Sequence, residues 1–298
     1  MAFVEFLIYG TVLGFILSLL SMGYSLVYGV GGITNLAHGA FYMLTGYVVF
    51  WLSNPDYDIN LPYNISIIIG LLFITFFGAF IYYALIKPAE HNEILIMIIT
   101  FALAVFLEQF VSTIEGLQEN MMRAIYLDPW LSGSVEILGI TFSYQNIVVV
   151  TGAFLVIVLT FLFISKTKTG KSIRAVSQDR EAAELMGINV DRTLVVTLMI
   201  SALLAGVAAV LYVPEVDILP ISGWDFLLMS MSVVILGGLG SVTGSILGAF
   251  IISFARFFTF YYIDTPLGVA FYGVVHLIVI IIVLLIRPQG LFGKKQRT

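Results

Sequence analysis

Residues 194–213 read LVVTLMISALLAGVAAVLYV, without a charge or a proline. A helix rises about 1.5 Å per residue, so roughly 20 apolar residues cross the hydrocarbon core of a bilayer. In lipid no water is at hand for exposed backbone groups. A spanning segment must therefore bond its own N–H and C=O groups as a helix, or join a closed barrel. Barrel strands alternate polar and apolar over about 10 residues, and this stretch does not alternate.

The same pattern recurs at 3–28, 64–86, 94–113, 146–165, 243–262 and 266–286. The 298 residues are 60% hydrophobic and 10% charged, with a mean hydropathy of +1.06. Soluble domains carry about 25% charged residues. The length is therefore counted in membrane spans rather than soluble domains, and 1–298 reads as one transmembrane domain. Two segments are less regular. Residues 39–52 are apolar but short, and they follow Gly29, Gly31, Gly32, Asn35 and His38. Residues 224–240 end in Gly237-Gly238-Leu239-Gly240. Irregular backbone at membrane depth is tolerated only inside protein or along a cavity, and paired interruptions point to a transport path. Gly31-Gly32-Ile33-Thr34-Asn35-Leu36-Ala37 also lines up weakly with Gly237-Gly238-Leu239-Gly240-Ser241-Val242-Thr243. An internal repeat is one reading. Chance is the other, because glycine is common in membrane helices. The fold expected is an all-α, polytopic transmembrane bundle of about eight to nine spans with interrupted helices.

Basic residues set the orientation. Loop 166–192 holds Lys166, Lys168, Lys171, Arg174, Arg180 and Arg192; the tail holds Arg287, Lys294, Lys295 and Arg297; Lys87 lies in the turn 87–93. These segments, the C-terminus included, are expected to be cytoplasmic. Loops 53–63, 114–145 and 214–225 are acidic, with Arg123 their only basic residue, and are expected outside. A full crossing by 39–52 gives nine spans and an external N-terminus. A re-entrant 29–52 gives eight and an internal one. No basic region precedes the first apolar run, so that run is expected to stay as an anchor.

Loop 166–192 has structure in its sequence. Ser177-Gln178-Asp179 can cap a helix through Met186, and Gly187 can end it. Ala182, Ala183, Leu185 and Met186 would give this helix a small apolar face. The pattern Glu181-Ala182-Ala183-x-x-x-Gly187 resembles the EAA loop of ABC importer permeases. In a second segment, Asn35-Leu36-Ala37-His38-Gly39-Ala40-Phe41-Tyr42-Met43-Leu44-Thr45-Gly46-Tyr47 is similar to a stretch of the LivH-type permeases, with one extra residue near Thr45. Gly23 to Gly29, Gly170-Lys171-x-x-Arg174-Ala175, Leu236 to Gly244 and Arg287 to Gly293 match as well. LivM-type paralogues carry Ser-Leu-Gly-His where this chain has Asn35-Leu36-Ala37-His38, which favours the LivH side.

The resemblance implies a multi-pass permease of the cell membrane that performs no covalent chemistry. It would pair with a LivM-like permease, two cytoplasmic ABC ATPases and an extracytoplasmic substrate-binding protein. Its small-molecule substrate would be a branched-chain amino acid; other amino acids, urea, short amides or sugars are the alternatives. Asp179, Arg180, Glu181, Ala182, Ala183 and Gly187 would couple to the ATPase. Asn35, His38, Gly39, Gly237, Gly238 and Gly240 would line the path or hold a broken helix.

Other classes find less support. An ion-driven carrier needs a relay of ionisable residues in mid-membrane, and few exist. An embedded enzyme needs a convergent acid, base or metal set. There is no cysteine and no metal-ligand spacing, so no cofactor is expected. No basic stripe suggests nucleic acid. Gly170-Lys171-Ser172 ends like a P-loop, but Ser165 stands where its first glycine belongs. Asn64-Ile65-Ser66 is a sequon that opens a membrane helix. Glu108 and Arg256 are expected to snorkel to the interface, a mutual pair being the alternative. His276 reads as a packed histidine and His91 as a turn residue.

Overall fold

The computed structural model describes residues 2–57, 59–90, 92–119, 124–137, 140–263 and 266–293. His91, Arg123, Lys294, Lys295 and Arg297 lie outside them. The helices are α1 (Ala2–Gly31), α2 (His38–Ser53), α3 (Tyr63–Ile81), α4 (Glu93–Glu119), α5 (Tyr144–Lys166), α6 (Lys168–Gln178), α7 (Arg180–Leu185), α8 (Val190–Tyr212), α9 (Ser222–Gly237), α10 (Val242–Tyr262) and α11 (Pro266–Ile286). A short antiparallel hairpin, β1 (Ser134–Ile137) and β2 (Ile140–Ser143), precedes α5 and pairs Val135 with Phe142.

Six helices, α1, α3, α4, α5, α8 and α10, are long and apolar enough to cross a membrane. Helices α2, α9 and α11 add three shorter apolar segments. The bundle is thus all-α and polytopic. Tyr9 of α1 lies with Asn146 of α5, Tyr212 of α8 and Tyr272 of α11 around one cavity. Gly31 lies with Glu93 of α4, Arg180 of α7 and Leu194 of α8 around another. Helix α1 therefore starts at the end of the bundle opposite the α6–α7 loop, and 38–53 returns toward that far end.

Helices α1 and α8 form the centre. Ile16, Leu17, Leu19, Leu20 and Met22 of α1 and Ala202, Ala205, Ala208 and Ala209 of α8 are fully buried. Small residues dominate the buried face of α8, which lets backbones approach closely. A Cβ on Gly78 of α3 would stand 3.0 Å from the Leu198 carbonyl oxygen of α8. The rim is the reverse: Phe76, Phe80, Phe154, Leu159 and Ile281 point outward. Large apolar groups facing outward suit a lipid surround.

Near the α6–α7 loop, α3 widens into a π-helical turn at Tyr82–Ile86 and tightens to a 3-10 turn at Lys87–Ala89, where Pro88 removes a donor. There the Asp191 carboxylate at the head of α8 accepts from the Tyr82 hydroxyl at 3.0 Å and from Lys87 at 2.5 Å. Loop 166–192 holds two helices rather than one. Thr167 accepts from the Gly170 N–H at 2.9 Å and starts α6, ahead of the helix expected through Met186.

Candidate functional site

The first interruption spans 32–37. Gly32 takes φ of +65°, which glycine alone adopts at no steric cost. Four backbone donors between Gly32 and His38 find acceptors. Gly32 N–H donates to Tyr28 O, Leu36 N–H to Thr100 Oγ1 at 3.1 Å, Ala37 N–H to Asn35 Oδ1 at 3.1 Å, and His38 N–H to Asn35 O. Asn35 is thus a local cap inside the protein. Its Nδ2 has no partner.

His38 is fully buried and ties three helices. Its Nε2 lies 2.9 Å from the Leu20 carbonyl of α1, and its Nδ1 lies 3.2 Å from Ser201 Oγ of α8. A carbonyl only accepts, so Nε2 carries the proton and Nδ1 accepts from Ser201. The Tyr24 and Phe41 rings meet the imidazole edge to face. Gly39 has a packing reason: a Cβ there would strike the Gly223 carbonyl of α9.

The second interruption spans 238–241. Gly238 and Gly240 take φ of +99° and +79°. Gly238 is the position aligned with Gly32, and both are left-handed. Ser241 restarts the helix by accepting from the Gly244 N–H at 3.1 Å. Gly237 packs against the Gly244 carbonyl, where a Cβ would collide. The segment after α11 straps this corner, with Leu291 N–H to Leu236 O at 2.8 Å and Phe292 N–H to Gly237 O at 3.1 Å.

The second interruption touches the last turns of α1. A Cβ on Gly29 would stand 3.0 Å from the Gly240 Cα. Beside this contact opens a cavity of about 580 Å³. Ser25 and Tyr28 of α1, Leu239 to Thr243, and Arg174, Ser177 and Gln178 of α6 line it. The buried Ser25 hydroxyl has no partner.

Asp179 caps α7 by accepting from the Ala182 N–H at 2.9 Å. At the other end Gly187, φ +81°, donates to Glu184 O while Ile188 N–H donates to Ala183 O. This is a Schellman stop, which satisfies the last carbonyls. Leu185 and Met186 are 89% and 83% exposed, whereas Ala183 is only 4% exposed. Ala183 was expected on the docking face, but it turns into the chain. Residues three and four apart share a helix face, so Ala182, Leu185 and Met186 face out together. Glu181 is exposed, and Arg180 pairs with Glu90 at 3.2 Å.

Glu108 and Arg256 do not meet. Glu108 accepts from the Trp224 indole at 2.5 Å. Arg256 contacts Met229 Sδ and stands 4.2 Å from the centre of the Tyr272 ring. Thr100, Ser201 and Glu90 were absent from the sequence reading. Lone hydroxyls within apolar runs were the available signal, because a polar group at membrane depth needs a partner. Among the described residues no group of His, Asp and Glu is placed to hold a metal.

These features define a multi-pass membrane protein with interrupted helices around a cavity and a capped loop at its edge. Residues 6–284 match the family described as branched-chain amino acid transport system / permease component, and the chain belongs to it. It is 28% identical to the high-affinity branched-chain amino acid transport system permease protein LivH of Salmonella typhimurium, over 99% of this chain and 96% of that protein. The corresponding BraD of Pseudomonas aeruginosa is also 28% identical, over 99% and 97%. A probable LivH of Methanocaldococcus jannaschii is 30% identical, over 93% and 89%. No solved structure matches.

Proposed function

We propose that the whole chain, 1–298, is one permease domain of an ABC importer for branched-chain amino acids, with 166–192 as its ATPase-coupling loop. Two ATPases dock at the loop end, which is the cytoplasmic side and holds the C-terminus. A second, LivM-like permease completes the path in the cell membrane. A binding protein delivers substrate to the far end.

One observation carries the reading. The second interruption meets the last turns of α1 at Gly29 and Gly240, and α6 of the loop lines the cavity beside them. A push on Leu185 and Met186 moves α7, then α6, then a wall of that cavity. The Arg180–Glu90 pair carries the same push to the turn after α3, beside Gly32 and Glu93. Glycine-rich, non-helical backbone is where a helix bundle can hinge at least cost.

The test is ATP-driven leucine uptake into vesicles holding the assembled transporter. Leu185→Asp with Met186→Asp should abolish uptake and leave the thermal midpoint within about 1 °C, because both side chains are exposed. Full uptake by the double variant would remove the coupling role. Uptake of urea or short amides in place of leucine would move the substrate and leave the coupling role standing.

A further inference from the structure

Among the described residues, Glu215 Oε1 and both amide atoms of Asn146 are buried without a hydrogen-bond partner, and both side chains line one cavity far from the interruptions. Arg256 Nε and both ring nitrogens of His276 are unpartnered as well. Unpartnered buried polar atoms are few in folded proteins, and a cluster of them calls for a reason. A cavity of about 240 Å³ opens here, at the end of the bundle opposite the α6–α7 loop.

Its wall is aromatic. Tyr9 stacks on Phe257 at 6.0 Å between centroids, and Phe257 meets Tyr272 edge to face at 5.9 Å and stacks on Tyr261 at 6.2 Å. Tyr212 completes the box. Two polar groups interrupt the rings. Asn146 is only 5% exposed, and Glu215 is half-buried. Burial pushes the Glu215 carboxyl above its ordinary range, against the opposing pull of the Ser143 hydroxyl.

Each candidate occupant meets this chemistry differently. An anion meets the Glu215 carboxylate. An apolar molecule leaves the acceptors Asn146 Oδ1 and Glu215 Oε1 unpaired, which is costly in a dry site. A cation relieves Glu215 and lies against ring faces, where aromatic quadrupoles attract positive charge. Tyr272 already accepts one cation, the Arg256 guanidinium. An ammonium has three N–H donors and no acceptor, and Glu215 Oε1 and Asn146 Oδ1 are two free acceptors.

The geometry points to a binding site for the ammonium group of a small organic molecule, with Glu215 and Asn146 accepting its N–H groups and the Tyr9, Phe257 and Tyr272 rings taking its charge and carbon. A soluble amine and the ethanolamine headgroup of a lipid share this chemistry. The inference does not depend on the transport reading, because an amine can bind whether or not it is carried.

The experiment is equilibrium binding of radiolabelled isoamylamine to the full chain in phosphatidylcholine nanodiscs, with isoamyl alcohol and isovalerate as same-skeleton controls. The amine should bind, and the two controls should bind at least about tenfold more weakly. Glu215→Gln and Asn146→Ala should each weaken the amine about tenfold, while Glu215→Asp retains most of the binding. Replacing part of the phosphatidylcholine by phosphatidylethanolamine separates the sources. Loss of amine binding assigns the box to the lipid headgroup, and retention assigns it to a soluble amine; both uphold the site. Alcohol binding equal to amine, no amine binding, or an unchanged Glu215→Gln variant overturns it. The amine-to-alcohol comparison needs no variant, so it decides even if a substitution unfolds the chain.

Discussion

Replacing His38 by alanine should destabilise the bundle by about 3–4 kcal/mol. Two bonds disappear, to the Leu20 carbonyl and the Ser201 hydroxyl. Hydrogen bonds between membrane helices average about 0.6 kcal/mol, so the pair contributes roughly 1 kcal/mol. The larger part is volume. His38 is fully buried, touches the Tyr24 and Phe41 rings, and leaves a hole when cut to a methyl group. Large-to-alanine changes in a dry core cost about 2–5 kcal/mol. Glutamine fills most of the space and can still donate to Leu20, so His38→Gln should cost only about 1 kcal/mol. The assay is the thermal midpoint of the purified permease in detergent, paired with uptake after reconstitution. The alanine variant should melt about 5–10 °C lower and the glutamine variant a few degrees lower. If both keep the parent midpoint and only uptake is lost, His38 gates the path and does not hold the interruption together.

Three further outcomes follow from single positions. Gly240→Ala should lower the thermal midpoint more than Gly29→Ala, because only Gly240 has positive φ; the left-handed backbone alone costs a non-glycine residue about 1–2 kcal/mol. Asp179→Ala removes the cap of α7 and should cost about 1 kcal/mol locally. Faster hydrogen exchange confined to 180–186 reads that loss, and unchanged exchange would refute the cap. Arg180→Ala opens an exposed ion pair and should shift the midpoint by less than about 1 kcal/mol, with any uptake defect far larger than the stability change.

The spans were legible because lipid imposes one rule on every crossing segment, and a run such as 194–213 obeys it without help from its neighbours. The interruptions were legible for the inverse reason. Glycines such as Gly238 and Gly240 mark where the rule is suspended. The contact of the second interruption with α1 was not legible, because nothing local in Gly29 names Gly240 as its neighbour. The partners of His38 were hidden for the same reason: one is a backbone carbonyl in mid-helix, and Leu20 carries no mark of it. Helix α6 was missed because its charges read as loop, although Gly170, Ile173 and Val176 are buried at helical spacing. The hairpin at 134–143 lies in a long acidic stretch with little alternation. Ala183 was placed on the wrong side because six residues are too few to fix a face by period. The helical turn itself puts Ala182 with Leu185 and Met186.

The central place of α1 has a consequence for biogenesis. Helix α1 leaves the ribosome long before α8 and α10, which pack along it. The Ser253 hydroxyl of α10 donates to the Gly10 carbonyl of α1 at 2.6 Å, across 243 positions of sequence. Until α10 arrives, one flank of α1 faces lipid, with glycines at Gly10 and Gly14 where the Phe254 and Phe250 rings will later seat. Long-range contacts of this kind form last. The nascent protein therefore waits in the membrane half assembled, α1 held open for α10, and a chain cut short before α10 inserts without ever closing.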